Sequence, residues 1–396
     1  MMKLEFKKIV NFLFLLIITL QLSSCTEPYA LQTNNYEEVL VVEATITNEL
    51  KNQEIVLSKT TPLENKEVLI ETGANVYISD DQGNQYNFDE QGGKYISENA
   101  FQIMPNRTYK LHINTRNGKS YESSAEVLPP VNPMQDVTAT VETQDSIRGV
   151  AIHVDSFDPT NKSKYYRYEY EETYNIITPD WNTQKAIVIP PTNPSSDGTI
   201  AYIPNSPDTK VCYNTVISPN IMLANTSAFS EDKLHYSIRF ISDQNYIISH
   251  RYSILVRQYI LSLASYDYYA TLKKMSGSGS ILSPLQPGFV SANINSLDNP
   301  NEKVVGYFDV TSVSTKRIYF NYADLFPFES LPPYYTDCTP FCYGEQPACT
   351  HYPPDAVIAD INNGFITLHA PNLWVNAPCG DCTTFASNIK PSFWVD

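Results

Sequence analysis

Apolar and polar residues alternate with a period of two along much of this chain, the pattern of strands that bury one face. Val39-Leu40-Val41-Val42 opens a strand predicted to run through Ile46, and Ile55-Val56-Leu57 is a second. Positions 74–79 form a third, with Val76 and Ile78 on one face. Asp80-Asp81-Gln82-Gly83-Asn84 is a turn of residues that tolerate left-handed backbone. Tyr86-Asn87-Phe88, a Gly92-Gly93 turn and Tyr95-Ile96 follow. Positions 108–113 place Tyr109, Leu111 and Ile113 on one side, Asn117-Gly118 is a hairpin signal, and 121–127 returns. These short strands over 38–130 predict an immunoglobulin-like or transthyretin-like β-sandwich, ended by Pro129-Pro130 and Pro133.

A second, larger β domain is expected over 131–396. Strands are predicted at 137–143, 150–154, 234–241, 252–260, 304–310 and 317–322, and Tyr165 to Tyr170 alternates aromatic and charged residues. Positions 178–209, rich in Pro, Asn, Ser and Asp, read as a long insertion loop. One helix is predicted near 263–275, with Asp267 in its first turn, Lys273 and Lys274 in its last, and Gly277 ending it. Leu263, Tyr266, Ala270 and Met275 would form its packed face. The Cys-rich tail at 327–396 has little regular patterning, and seven Pro and three Cys fall in 327–355.

The beginning of the chain follows a different logic. Lys3, Lys7 and Lys8 precede an apolar run over 9–20, which is too short to span a bilayer that needs about 20 residues. Leu22-Ser23-Ser24-Cys25 then has the form of a bacterial lipobox. The expectation is a signal peptide over 1–24, lipid on Cys25, a polar tether over 25–37, and an exported protein held at a membrane.

Charge narrows the partners. The chain carries 27 basic and 43 acidic residues, net −16, and loss of the first 24 residues leaves it at −18. That argues against nucleic acid and anionic headgroups as partners. The 28 Tyr against 3 Trp fit ordinary β-sheet filling.

Beyond Cys25 the cysteines are Cys212, Cys338, Cys342, Cys349, Cys379 and Cys382. An even number in an exported chain reads as disulfides, and six cysteines leave 15 pairings open. Two sharper readings compete. Cys379-Gly380-Asp381-Cys382 has thioredoxin-type spacing, but Pro378 precedes it and no helix pattern follows. Cys338, Cys342, Cys379 and Cys382 resemble a four-thiolate zinc spacing. Stapling of the tail is the main reading, with no cofactor. His112, His153, His235, His250, His351 and His369 show no metalloenzyme spacing, no Gly-x-Ser-x-Gly elbow occurs, and Ser276-Gly277-Ser278-Gly279-Ser280 reads as a linker.

The chain resembles a family of Bacteroidota outer-membrane lipoproteins catalogued as a domain of unknown function. The resemblance rests on the lipobox, Val41-Val42-Glu43-Ala44-Thr45-Ile46-Thr47, Tyr252-Ser253-Ile254-Leu255-Val256-Arg257-Gln258-Tyr259 with the Tyr-rich helix after it, Gln286-Pro287, Ala292-Asn293-Ile294 and Val305-Gly306-Tyr307-Phe308. It closes on the Cys-Gly-Asp-Cys tail and Lys390-Pro391-Ser392-Phe393-Trp394. Genes of this family often lie beside TonB-dependent receptors. The resemblance therefore implies a non-catalytic binding or accessory subunit of such a barrel, in nutrient uptake. It brings no catalytic residues and no ligand identity. Glu27 is the one acidic residue close behind Cys25, which leaves the membrane face open. A structural subunit of an outer-membrane machine and a secreted glycan or peptide hydrolase are the alternatives. Tyr334, Tyr335, Tyr343 and Trp374, clustered beside the tail cysteines, are the candidate contact residues.

Overall fold

The computed structural model describes residues 38–61, 67–192, 198–277, 290, 292–344 and 356–395. The signal-like segment, Cys25, the tether, Cys349 and His351 lie outside them. Within the described residues the chain is mostly β, in several sheets.

β1 (Leu40–Thr47) turns Leu40, Val42, Ala44 and Ile46 inward, as its alternation requires. β2 (Glu54–Lys59), β3 (Leu69–Ile70), β4 (Asn75–Asp80), β5 (Gln85–Gln91), β6 (Lys94–Ser97), β7 (Thr108–Asn114), β8 (Ser120–Ser123) and β9 (Glu126–Val127) follow. Val76, Ile78, Tyr109, Leu111 and Ile113 are all buried on the face their spacing predicted. The sheet runs β1-β2-β6-β5-β4-β7-β8, with β9 on β7.

The later strands are β10 (Asp136–Gln144), β11 (Ile147–Asp158), β12 (Tyr165–Ile177), β13 (Gln184–Ile189), β14 (Thr199–Pro204), β15 (Val211–Ile217), β16 (Met222–Asn225), β17 (Asp232–Ser242), β18 (Arg251–Leu261), β19 (Ile294–Ser296), β20 (Val304–Asn321), β21 (Ile366–Ala370) and β22 (Leu373–Asn376). β20 is one strand of 18 residues where two separate strands were expected. Its first half pairs in parallel with β1, and its second half pairs antiparallel with β18. It joins strands of both regions into one large sheet of order β15-β12-β18-β20-β1-β2-β6-β5-β4-β7-β8-β19. The core of the region 38–130 thus takes in Ile294, Val304, Phe308 and Val310 from far along the chain. Asn293 closes the curl. Its Nδ2 donates to Phe308 O at 2.9 Å, and its Oδ1 accepts from Phe308 N at 2.8 Å. Side-chain amides here replace ladder bonds at a sheet edge.

Over the β12-β18-β20 part lies the three-stranded sheet β10-β11-β17. Val150, Ile152, Val154 and Ile241 on one side meet Tyr166, Tyr168, Tyr252, Ile254 and Val256 on the other. The three tyrosines of this interface each find a polar partner: Tyr166 OH donates to Asp232 Oδ1 (2.8 Å), Tyr168 OH to Gln258 Oε1 (2.9 Å) and Tyr252 OH to Glu172 Oε2 (2.6 Å). These three tyrosines thus fill the core with their hydroxyls satisfied.

Three expectations are corrected. The 178–209 loop contains a hairpin, β13 against β14, because Ile187-Val188-Ile189 and Ile200-Ala201-Tyr202-Ile203 supply strand formers between the prolines. Helix α1 (Leu263–Gly277) exists, but its packed face matches the predicted one only in part, through Tyr266. Leu263 and Met275 are exposed, while Ser265 and Tyr268 are buried and Tyr269 and Leu272 pack inward. Asp267 lies beyond the first turn. The tail also has regular structure: α2 (Tyr322–Leu325), α3 (Ala356–Asn362), the β21–β22 hairpin and α4 (Ala377–Gly380).

A charged cluster lies beside α1. Arg167 sits between the rings of Tyr259 (4.3 Å) and Tyr269 (4.8 Å) and pairs with Glu169. Asp309 is fully buried, and its Oδ2 has no hydrogen-bond partner among the described residues. Burial pushes its carboxyl from 3.8 up to about 6, against the pull of Arg167. The unfolded chain therefore gives up this proton at lower pH than the native state does. Native stability from Asp309 is complete below pH 4 and is lost as pH rises through about 6, by up to about 3 kcal/mol. Urea midpoints measured from pH 4 to 7 are expected to show this slope in the native chain and a flatter one in Asp309→Asn. Parallel curves would show that Asp309 does not titrate in that window.

Candidate functional site

The end of the large sheet is where the polar groups gather. β12 ends there with Asn175, Ile176 and Ile177, and β18 starts there with Arg251. A short 3-10 turn, Tyr246–Ile248, leads into Ser249 and His250 just before β18. β20 ends there at Asn321 and passes into α2. The segment 326–339 crosses this end as a strap.

The strap is fastened at both ends. Arg148 lies 5.1 Å over the Phe326 ring and bridges Asp243 (2.6 Å) and Glu329 (3.0 Å). Beyond it, Cys338 is bonded to Cys379, and Tyr334 OH donates to Pro378 O at 3.0 Å. A second disulfide, Cys212–Cys382, ties the tail to β15. Two of the six tail-staple candidates are thus assigned to each bridge. Cys342 is also disulfide-bonded. In this structure Cys338 and Cys379 are bonded to each other and Cys382 to Cys212, so these sulfurs are not brought together as a four-thiolate set. Cys379 and Cys382 are not joined to each other, so the Cys-x-x-Cys pair does not form a redox disulfide in this state. Among the described residues no group of three or more His, Cys, Asp or Glu side chains is placed to hold a metal.

Beneath the strap lie two cavities. The first, about 420 Å³, has apolar walls from Ile176, Ile177, Pro179, Leu331 and Pro332, with Tyr334 and His250 adding polar atoms. The second, about 390 Å³, is bounded by Arg251, Asn321, Tyr322 and Trp394. The two share Asn175, Ser249, His250 and Leu331, so His250 stands at their junction. A shallower recess of about 640 Å³ continues along the strap past Tyr334 and Tyr335 to Cys338.

The ring of His250 makes no hydrogen bond among the described residues, and burial pushes its imidazole below the usual range. It is therefore neutral at physiological pH, with one donor and one acceptor to offer. Arg251 donates from Nη1 to Asn321 Oδ1 at 3.1 Å and lies 5.1 Å over the Tyr319 ring. Its Nε is buried without a hydrogen-bond partner among the described residues. The volumes and the mix of apolar wall with a few convergent polar groups suit a small ligand.

The predicted contact residues divide. Tyr335 is 42% exposed on the strap, against the ring of Phe385 at 4.5 Å. Tyr334 is half-buried and lines the first cavity. Tyr343 is tied through its hydroxyl to Asp360 Oδ2 at 2.6 Å. Trp374 is corrected: it is 3% exposed, packs with Val357 and Leu368, and offers no surface to a partner. A tail Trp on a hairpin strand fills a small core before it reaches solvent. Sequence reasoning passed over Phe328, which is 106% exposed and holds a left-handed backbone at φ 66°. It also passed over Arg251. The only sequence signal was a Phe between Pro327 and Glu329 in a Pro-rich run. The other histidines serve locally. His112 stacks on Tyr77 and His153 on His235, while His369 meets Asp180 at 2.9 Å.

Fold and site together define a mostly β, disulfide-stapled protein with a strapped, cavity-bearing rim at one end of its large sheet. Residues 26–317 match the family described as a domain of unknown function, DUF4249, and the chain belongs to that family. The strap and the cysteines beyond it follow the matched region. A search of curated proteins gave no match.

Proposed function

We propose that this chain is a lipid-anchored outer-membrane protein of Bacteroidota that serves as a non-catalytic binding or accessory subunit of a TonB-dependent receptor, in nutrient uptake. The lipobox before Cys25 supports the anchor. The observation that carries the partner reading is Phe328. An isolated, fully exposed Phe in left-handed backbone costs about 1–3 kcal/mol of strain and hides no apolar area in the free chain. Such a residue gains its return when a partner covers it, as aromatic anchors do at interfaces. The cavities behind the strap supply the ligand-holding half of the role.

The test is a mild-detergent pull-down of the native lipoprotein from outer membranes, followed by mass spectrometry. A TonB-dependent receptor recovered in stoichiometric amount is the expected result. Recovery of a secretion or assembly barrel instead would favour a structural subunit, and recovery of no barrel would overturn the partner reading.

A further inference from the structure

The charge of the cavity walls runs against that of the molecule. In a chain of net −16, neither cavity beneath the strap is lined by an Asp or a Glu. The single charged residue on the walls is Arg251. No carboxylate lies within ion-pair distance of it among the described residues. Asp324 is near enough to feel its field, but that carboxylate is engaged by Asn321, whose backbone N and Nδ2 both donate to it at 2.9 Å. Arg251 thus keeps a guanidinium with unspent donors beside the ring of His250 and the hydroxyl of Ser249. The first cavity, on the other side of His250, is apolar.

We propose that the two cavities form one site for a small organic monocarboxylate with an apolar body, a reading that rests on the ligand-holding role above. Arg251 takes the carboxylate, because a planar guanidinium matches two carboxylate oxygens and an ammonium does not. His250, neutral, donates its one N–H to the same head group. The apolar body lies along Ile176, Ile177 and Leu331. Repulsion by the acidic exterior slows entry of such an anion, but the walls themselves add no repulsive charge. A free acid and the C-terminus of a short peptide share this chemistry, and one arm of the test separates them.

The experiment is calorimetric titration of the mature lipoprotein in lipid nanodiscs with 3-phenylpropanoate and with 3-phenylpropanamide, against empty nanodiscs. The acid is expected to bind about tenfold or more tightly than the amide. Arg251→Gln is expected to bring the acid down to the level of the amide, and Leu331→Asp to abolish binding of both. Tighter binding of N-acetyl-leucyl-phenylalanine than of the acid would identify a peptide terminus as the source of the carboxylate. Equal affinities for acid and amide, an acid preference that survives Arg251→Gln, or no heat from either probe would each overturn the proposal. None of these outcomes bears on receptor recovery, which is measured without added ligand.

Discussion

Gly306→Ala is expected to destabilise this protein by about 3–5 kcal/mol, a large fraction of the roughly 5–15 kcal/mol that holds an ordinary domain together. Gly306 lies in β20 directly across the parallel pair from Val42, at φ 120°. A Cβ built there would stand 1.9 Å from Val42 O and 2.7 Å from Val42 C. Both obstacles are backbone, and neither can swing aside as a side chain would. The φ itself is one that alanine rarely adopts, so strain adds to the collision. The damage falls where the two hydrophobic cores share a strand, so both should loosen together. Gly83→Ala is the control: it also has positive φ, but nothing lies within 4 Å of a Cβ there. Its expected cost is about 1 kcal/mol. Urea unfolding of the two variants checks this. A Gly306→Ala protein within 1 kcal/mol of the native chain would mean that β1 and β20 are not held as close as described.

Removal of the Cys212–Cys382 bridge is the second large effect. It closes a separation of 170 residues, against 41 for Cys338–Cys379. Chain entropy alone gives about 5 kcal/mol for the first and about 4 kcal/mol for the second. Cys212 and Cys382 are also completely buried, so Ser at each would leave a hydroxyl in an apolar setting. The Cys212→Ser/Cys382→Ser double variant should therefore be the less stable of the two pairs, and its tail should become protease-sensitive first. If the Cys338→Ser/Cys379→Ser pair proved the more damaging, the long bridge would not be what holds the tail to β15.

Much of the β pattern was legible because it is local. Alternation at 76–78 and at 109–113 fixed which side chains go inward, and Gly83, Gly92, Gly93 and Gly118 all take the positive φ that their turns require. What escaped was non-local. Nothing near Val42 signals that its parallel partner is Gly306, since that pairing is set by packing across more than half the chain. The face of α1 was misread because Tyr and Ser fill its buried side, and hydrophobic periodicity weighs them as half-polar. The cysteine count foretold staples but not partners. At the site, Tyr334 and Tyr335 were singled out through their neighbourhood, and both lie on the strap. His250 was seen only as an isolated histidine, and Arg251 was passed over, one position before the strand expected at 252–260. Their meaning comes from three strand ends and a strap that converge only in three dimensions.

The central claim is that the strap faces a barrel. A photo-crosslinking benzoylphenylalanine in place of Phe328 tests it in living cells, with the same residue in place of Gln91, an exposed position at the β5–β6 turn, for comparison. The account predicts an adduct between position 328 and a TonB-dependent receptor, and none from position 91. A receptor adduct at 91 alone, or no barrel adduct from 328, would contradict it.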